Sequence, residues 1–374
     1  MPDQIVPVTV ITTVYNEGPA VLEMLDSVMT GNVLPAEVVV ADGGSSDGTL
    51  ELLLEYAASH LSVRVLTDSG GRSAGRNAAI AAASHDNIVC IDGGCIAEPA
   101  WLEEITRPLL DGSRWVGGFY RPQGETQLST AIGLTMVFVE EEVVLPYFLP
   151  SARSMAFHRS LWAEVGGFPE DEQFAEDTAF GDSIVGAGHE LVFAPRAVVM
   201  WKPPSGLLAQ ARTLFAWGRG DGRLGLRSNY YHRLFVQFLL AVALVILGVY
   251  FPPLLVVAAV GLGAVVLRKS RHKLRHMDGW LKWLLIPLAT ANGLVSSLAG
   301  YVTGDLERRA RRRGPAEPND QSAHNEPPGA SEPVEKRGDP STPVSRQGTA
   351  AQIEPVPGAQ REGGIDRGGK IVGA

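Results

Sequence analysis

The chain has 374 residues, of which 45% are hydrophobic, and its formal net charge is −9. This length can hold one large domain and something more, and the acidic balance argues against a general nucleic-acid-binding protein. Its two cysteines, Cys90 and Cys95, match no zinc-site spacing and imply no disulfide framework, which fits a reducing compartment. Because the first residues lack the pattern of a signal peptide, we expect the first domain to stay in the cytosol.

From residue 7 to about residue 205, apolar β-rich runs alternate with helical patterns. These runs predict strands at 8–13, 37–41, 63–66, 87–91, 114–119, 152–157 and 190–200. The helical patterns predict helices at 19–29, 50–58, 73–83 and 99–110. Near-continuous apolar strands that alternate with helices indicate an α/β fold with a parallel sheet covered on both faces.

The segment 126–148 has helical spacing but no clear place in this alternation. Two interpretations are open, because the segment could cover an acceptor site or lie near a membrane.

The composition changes after Tyr231, which predicts membrane-associated helices over 232–305. Residues 234–267 contain no charged side chain, and Pro252 and Pro253 divide them. This stretch is too long for one ordinary span, so it predicts a helical hairpin, with one long tilted span as the alternative. A basic cluster at 268–276 should stay cytoplasmic, and a hairpin returns the chain to that side. The apolar stretch 280–302 has basic residues on both flanks, which argues against a simple crossing and for a re-entrant or interfacial segment, of which we favour the interfacial one.

The remaining residues, 314–374, are rich in Pro, Gly, Glu and Ser, which predicts a disordered tail. The sequence therefore predicts a membrane-anchored protein with its first domain on the cytoplasmic side.

Acidic residues stand at three informative places. Asp42 and Asp92 each end an apolar strand, where open α/β sheets present ligand groups, and Glu176 and Asp177 begin a predicted helix. A neighbouring residue can cap the helix after Asp42, so we expect Asp42 to accept hydrogen bonds from a nucleotide base or ribose. A carboxylate at Asp92 can bind Mg²⁺ or Mn²⁺ that bridges two phosphates. Taken singly, Asp42 and Asp92 are also explained as turn residues, and an isolated Glu176-Asp177 pair is better explained as favourable charge at a helix start.

The basic segment 70–77 carries two arginines one helical turn apart. Arg72 and Arg76 could contact a phosphate from a helix start, although surface solvation suits Arg72 better. His158 and His189 have no partner at metal-ligand spacing, and we interpret both as structural. Trp201 could close a sugar pocket or mark a domain edge.

The order of these motifs resembles that of the family 2 inverting glycosyltransferases with the GT-A fold, over about residues 5–225. The residues that carry the resemblance are Thr12 to Glu17, Asp42 with its turn, Arg76-Asn77, Asp92-Gly93-Gly94, Trp101-Leu102, Gly166-Gly167-Phe168 and Glu176-Asp177. Residues 212–220 also resemble a segment that follows the catalytic domain in bacterial membrane-attached members, including succinoglycan-type exopolysaccharide glucosyltransferases. The resemblance implies a Rossmann-like mixed sheet that binds a nucleotide-diphosphate sugar.

The resemblance also implies roles for single residues. The residues that it places at the nucleotide-sugar are Thr13, Tyr15, Glu17, Asp42, Arg76 and Asp92. Asp92 matches the first acid of the Asp-x-Asp metal motif, so a divalent cation, Mg²⁺ or Mn²⁺, is implied there. Asp177 matches the catalytic base, with Glu176 beside it. An inverting reaction needs one base on the face opposite the leaving nucleotide.

Two departures from the family pattern bear on function. Gly94 stands where the second acid of the metal motif is expected, so the affinity for metal should be low. The Gln-x-x-Arg-Trp motif of processive synthases is absent in that form, because Gln210, Arg212 and Trp217 have a different spacing. We therefore expect a single transfer from a UDP-linked sugar to a lipid-linked saccharide or a cell-envelope glycan.

Two other functions are weighed against this one. The missing acid at position 94 motivates a non-catalytic protein that binds nucleotide-sugars or acts as a scaffold with the same fold. A nucleotidyltransferase would share the sheet and the metal site, but the N-terminal region lacks a Lys/Arg-rich glycine loop.

Overall fold

A computed structural model describes residues 4–145 and 148–312. The tail predicted to be disordered, 314–374, lies outside the described residues. One eight-stranded sheet has the order β3-β2-β1-β4-β7-β6-β8-β5. Its strands are β1 (Ile5–Val14), β2 (Leu34–Asp42), β3 (Val63–Thr67), β4 (Asn87–Cys90), β5 (Cys95–Ala97), β6 (Trp115–Pro122), β7 (Met155–His158) and β8 (Val192–Trp201).

The sheet is mixed, because six of its strands run in one direction and β7 and β5 run in the other. Strands β3, β2, β1 and β4 pair in parallel, as the alternation of strands and helices predicts. Strand β7 then pairs antiparallel with both β4 and β6, and β5 pairs antiparallel with β8. The α/β prediction is confirmed, but the predicted parallel sheet is interrupted by the antiparallel strands β7 and β5, while β6 and β8 pair in parallel.

Helices lie on both faces of the sheet and continue beyond it. The helices are α1 (Ala20–Met29), α2 (Thr49–Ser59), α3 (Arg72–Ala82), α4 (Trp101–Leu110), α5 (Gln127–Met136), α6 (Arg159–Val165), α7 (Glu176–Gly186), α8 (Leu207–Leu224), α9 (Ser228–Gly248), α10 (Pro253–Ser270) and α11 (Lys282–Arg312).

Alternate residues of the parallel strands feed two hydrophobic cores. Val10 faces the core that holds the apolar sides of α1 and α4, including the buried Trp101. Ile11, the next residue, faces the core formed with α3, α6 and α7, including Phe180. This period of two along a strand explains why the strands are apolar throughout, since both faces are covered.

Three of the described helices, α9, α10 and α11, are long and apolar enough to cross a membrane. Helix α9 ends at Gly248 and helix α10 begins at Pro253, so residues 234–267 form two helices and not one long span. The stretch predicted to be interfacial is part of the 31-residue helix α11. Its apolar first half and its charged last turns form one continuous helix that packs along α8.

The segment 126–148 is helical only in α5 and in a 3-10 turn at Glu140–Glu142. It contacts the region between α10 and α11, where Lys273 Nζ donates to the Val137 carbonyl at 2.7 Å and pairs with Glu142 at 2.9 Å. His276 Nε2 lies 2.9 Å from Glu141. Of the two open interpretations, the contacts favour a position against the long apolar helices of the C-terminal region.

Candidate active site

The carboxyl ends of β1, β2 and β4 meet at one edge of the sheet, because the three strands are parallel. Thr13 and Tyr15 leave β1 there, Asp42 ends β2, and Asp92 follows β4. Strand register sets Val14 beside Asp42. The structure thus brings together four of the residues predicted to bind the nucleotide-sugar, at the edge where α/β sheets bind ligands.

Asp42 has two separate tasks. Its Oδ2 accepts hydrogen bonds from the backbone N–H groups of Gly44 and Ser45, at 2.9 and 3.0 Å, which shapes the glycine-rich turn. This task was not foreseen from the sequence. The expected cap of the next helix by Asp47 or Ser46 is not made, because Gly48 is the N-cap; Asp47, one residue earlier, accepts from the Thr49 N–H and hydroxyl. The Asp42 Oδ1 is buried without a hydrogen-bond partner among the described residues. A buried orphan acceptor is costly, so this oxygen is suited to a ligand donor.

Arg76 lies at the centre of the site and joins two of its acids. It is only 3% exposed, and its guanidinium donates to Asp92 Oδ1 at 2.7 Å and to Glu176 Oε1 at 2.6 Å. Burial alone would lower the pKa of Arg76, but the charges of Asp92 and Glu176 raise it above its usual value. Arg76 is therefore a fixed cation that ties α3 and α7 to the end of β4. Arg72 is half-exposed and lies 3.7 Å from Glu176.

Asp177 occupies the first turn of α7, where the helix dipole favours negative charge. Ala175 before it has a φ of 64°, a left-handed conformation that is uncommon for a residue with a Cβ. The Asp177 Oδ1 accepts from the Thr178 N–H at 2.7 Å. Arg227, between α8 and α9, donates to Thr178 Oγ1 at 2.9 Å. The candidate base thus lies where the sheet domain meets the C-terminal helices.

An arginine that the sequence analysis did not single out lies beside Asp92. The Arg153 guanidinium carbon is 4.7 Å from the ring centre of Trp201, 5.3 Å from Tyr120 and 5.6 Å from Trp217. Its Nε is 3.9 Å from Asp92 Oδ2. These aromatic side chains come from β8, β6 and α8, so only the folded chain brings them together. We call Arg153 with these three rings the arginine cage.

A divalent cation at Asp92 would need oxygen ligands that are free to bind it. One Asp92 oxygen accepts from Arg76 and the other faces Arg153. Gly94 offers no side chain, and a Cβ built on it would lie 3.9 Å from Glu17 Oε2. Across 4–145 and 148–312, no three His, Cys, Asp or Glu residues cluster to hold a metal. The donor set of this arrangement does not fit a divalent cation.

Comparison with known proteins finds a family and several relatives with similar sequences. Residues 9–148 match the family model described as Glycosyl transferase family 2. The chain is 29% identical over 202 residues to glycosyltransferase AglE of Haloferax volcanii, an alignment that covers 50% of this chain and 64% of AglE. It is 26% identical over 186 residues to the uncharacterized glycosyltransferase EpsJ of Bacillus subtilis, covering 46% of this chain and 54% of EpsJ. In both cases the chain spans less than two thirds of the relative's length.

A solved structure extends the similarity to the fold. The mannosyltransferase PcManGT from Pyrobaculum calidifontis, in complex with GDP-Man and Mn²⁺, superposes with a TM-score of 0.50 at 20% identity. The superposition covers 79% of this chain and 88% of that structure. The sheet order, the strand-end acids and these matches agree: residues 9–148 are similar to glycosyltransferase family 2, and the sheet domain has the GT-A fold.

Proposed function

We propose that this protein is an inverting glycosyltransferase, which moves one sugar from a nucleotide-diphosphate donor to an acceptor hydroxyl. The observation that carries the proposal is the position of Asp177. It begins α7, next to the Glu176 that Arg76 links to Asp92 at the sheet edge. Asp177 is half-buried and directly follows the Glu176 that Arg76 links to the strand end where we expect the donor to bind.

The donor end of the site is built for a nucleotide. The free buried Oδ1 of Asp42 is an acceptor for a ribose hydroxyl or a base N–H. Tyr15 is 61% exposed, so its ring is free to pack against a base. Thr13 and Glu17 lie within two residues of Tyr15, at the end of β1 and in the loop that follows it. We expect a UDP-linked donor, and the GDP-Man bound to PcManGT makes GDP-sugars the second class to test.

The residues of the site divide the chemistry between them. The acceptor oxygen bonds to the anomeric carbon from the face opposite the diphosphate, and the bond from that carbon to the diphosphate oxygen breaks. Asp177 takes the proton from the acceptor hydroxyl. Glu176, which we grouped with Asp177 from the sequence, is held by Arg76 at 2.6 Å. We assign it a positioning role, because its oxygen already accepts from a buried cation.

The Mg²⁺ or Mn²⁺ implied at Asp92 remains a prediction from the family resemblance. A bound cation would stabilise the departing diphosphate. We leave it out of the proposed mechanism, because both oxygens of Asp92 face arginines.

The C-terminal helices support a membrane-bound acceptor. Helices α9 to α11 suit a membrane, and Arg227 joins the start of α9 to Thr178, next to the candidate base. An active site fixed at the bilayer meets a lipid-linked saccharide or a cell-envelope glycan at a higher effective concentration than a site free in solution does. We place the catalytic domain on the cytoplasmic side, because basic residues flank the apolar helices.

A single transfer fits the position of Gln210. This residue is fully buried between α8 and α11, where it donates to the Ala289 carbonyl at 3.1 Å and accepts from Asn292 at 2.8 Å. Its side chain holds two helices together and is not presented to the site. It therefore does not replace the glutamine of the processive motif.

The decisive test is a release and transfer screen with the full chain in detergent. UDP-, GDP- and dTDP-sugars are supplied singly, with and without Mg²⁺ or Mn²⁺, and nucleotide release is measured. We expect release from one donor class, and its loss by about 10³-fold in Asp177→Asn with donor binding retained. Asp182→Asn, an exposed acid on the same helix, is the matched control and should stay active.

Two outcomes would contradict the proposal. Near-normal turnover in Asp177→Asn would remove this residue as the base. Clear nucleotide binding without release or transfer from any donor, across a panel of lipid-linked acceptors, would favour the non-catalytic protein.

A further inference from the structure

The charge balance around Asp92 is unusual for a cation site. Arg76 is not free to bind a ligand anion, because its guanidinium already pairs with both Asp92 and Glu176. Arg153 is less committed. Its Nη1 donates to Ser151 Oγ at 3.2 Å, its Nε is 3.9 Å from Asp92, and its Nη2 has no hydrogen-bond partner among the described residues. The edge of the guanidinium that carries Nε and Nη2 therefore has no hydrogen-bond partner among the described residues, beside the strand end that carries Asp92.

The arginine cage fixes that guanidinium in place. Three aromatic rings within 4.7–5.6 Å attract a cation and restrict its side-chain rotamers. Arg153 is 15% exposed on its side chain, so it is partly desolvated but reachable. Burial lowers the pKa of Arg153, but the negative charge of Asp92 outweighs this effect and the pKa lies above its usual value, so the group stays charged. A fixed cation in a partly buried site stabilises a neighbouring anion without the cost of reorganisation.

A guanidinium also has the right shape for a phosphate. It presents parallel N–H donors that match two phosphate oxygens, which a compact ammonium group does not. Gly94 leaves the space beside it open, since the nearest atom to a Cβ built there is Glu17 Oε2 at 3.9 Å. The position that would otherwise carry the second metal-binding acid therefore has no side chain, and it lies two residues after the Asp92 that Arg153 faces.

We propose that the Arg153 guanidinium, held in the arginine cage, binds the diphosphate of the donor and stabilises it as it leaves, in place of a divalent cation. This inference rests on the proposed function. When the bond from the anomeric carbon to the diphosphate oxygen breaks, the electron pair stays on the diphosphate. Arg153 then offsets the added negative charge by hydrogen bonds, while Arg76 keeps Asp92 neutralised and away from the phosphates.

The test is nucleotide binding by the full chain in detergent, with UDP and GDP as probes. Binding is followed by calorimetry and by tryptophan fluorescence, because Trp201 and Trp217 belong to the cage. We expect the dissociation constants in EDTA and in Mn²⁺ to agree within about twofold. Arg153→Gln should weaken binding by about tenfold or more in both buffers, and should abolish the fluorescence change. Arg153→Lys should recover binding only in part, because it cannot bond bidentately.

The matched control is Arg196→Gln, an arginine of β8 that is 72% exposed and pairs with Glu104. It should bind like the unmodified chain. Thermal unfolding of each variant identifies any loss of binding that comes from a loss of folding. Paramagnetic resonance of Mn²⁺ in the presence of UDP should show no stoichiometric bound ion.

Different failures separate this inference from the function on which it rests. The arginine role would be overturned, and the transferase left intact, if nucleotide binding disappeared in EDTA and returned with Mn²⁺. In that case the signal of bound Mn²⁺ should also be lost in Asp92→Asn. Unchanged binding in a folded Arg153→Gln would also overturn the arginine role and leave the transferase intact. If neither UDP nor GDP binds in either buffer, the proposed function fails, and the inference fails with it.

Discussion

At the scale of single residues, the site depends on one buried ion pair. Arg76 and Glu176 each expose only 4% of their side chains, and they lie 2.6 Å apart. Such a pair contributes little net stability when it is intact, since desolvation offsets the attraction, but breaking it leaves a buried charge without its partner. The pair therefore makes the arrangement of α3 and α7 specific, and with it the position of Asp177.

Glu176→Gln tests this dependence. The change keeps the shape of the side chain but removes the charge opposite Arg76, so we expect a loss of about 2 kcal/mol in the free energy of unfolding. Thermal unfolding in detergent measures it. The control is Glu98→Gln, whose carboxylate pairs with Arg121 at 3.6 Å at the surface. Equal melting temperatures for the two variants would contradict a structural role for the buried pair.

At the scale of elements, Glu37 joins three strands near the start of β2. Its carboxylate accepts from Thr9 of β1 at 2.7 Å and from Arg64 of β3 at 2.8 Å. It also accepts from the backbone and hydroxyl of Ser84, at 2.7 and 2.9 Å. Burial raises the pKa of Glu37, but the Ser84, Thr9 and Arg64 hydrogen bonds outweigh it and lower the pKa from 4.5 to about 2.

This shift predicts a pH-dependent contribution to stability. Because the folded pKa lies below the unfolded one, the contribution is complete above about pH 4.5 and is lost as the pH falls toward 2. We expect Glu37→Gln to lower the melting temperature clearly at pH 7 and less at each step from pH 5 to pH 3. A melting-temperature difference that stays constant over this range would contradict the assignment. Asp182→Asn, which changes an exposed acid, should show no such trend.

Much of the element order could be predicted from the sequence, because most elements have their own periodicity. The four parallel strands and α1 to α4 lie within a few residues of their predicted limits. Helix α8 was not predicted, since Gly218, Gly220 and Gly222 lower its intrinsic helix propensity, and its contacts with α11 offset that cost. Strand β5 has three residues, too few for a detectable pattern.

The candidate site was predictable only where its residues belong to local sequence motifs. Asp42, Asp92 and Asp177 stand within local motifs, so their order along the chain identifies them. Arg153 belongs to no motif, and its ring partners come from 33 to 64 residues away along the chain. Likewise, the bond from Arg76 to Glu176 spans 100 residues. Contacts of this kind arise from sheet order, which single-sequence patterns do not encode.

At the scale of the whole molecule, α8 and α11 connect the site to the apolar helices. The two helices approach closely at glycines, where a Cβ on Gly218 would meet the Ser297 carbonyl and one on Gly300 would meet the Phe215 carbonyl. Small residues allow this close backbone approach between helices. Arg219 adds an ion pair to Glu307 at 2.6 Å. Since α8 also carries Trp217, this contact sets one wall of the arginine cage.

Gly300→Ala tests whether helix packing supports the site. Its new Cβ would overlap the Phe215 carbonyl, so the helices must separate, and the variant should unfold at a lower temperature and bind UDP more weakly. The matched control is Gly263→Ala in α10, where a Cβ meets no atom within 4 Å. Alanine is the better helix former by about 1 kcal/mol, so this control should be neutral or slightly stabilising. Equal melting temperatures and equal UDP affinities for the two variants would show that the site does not depend on the contact between α8 and α11. A loss confined to Gly300→Ala, in both stability and binding, would support a cage wall held in place by the contact of α8 with the apolar helix α11.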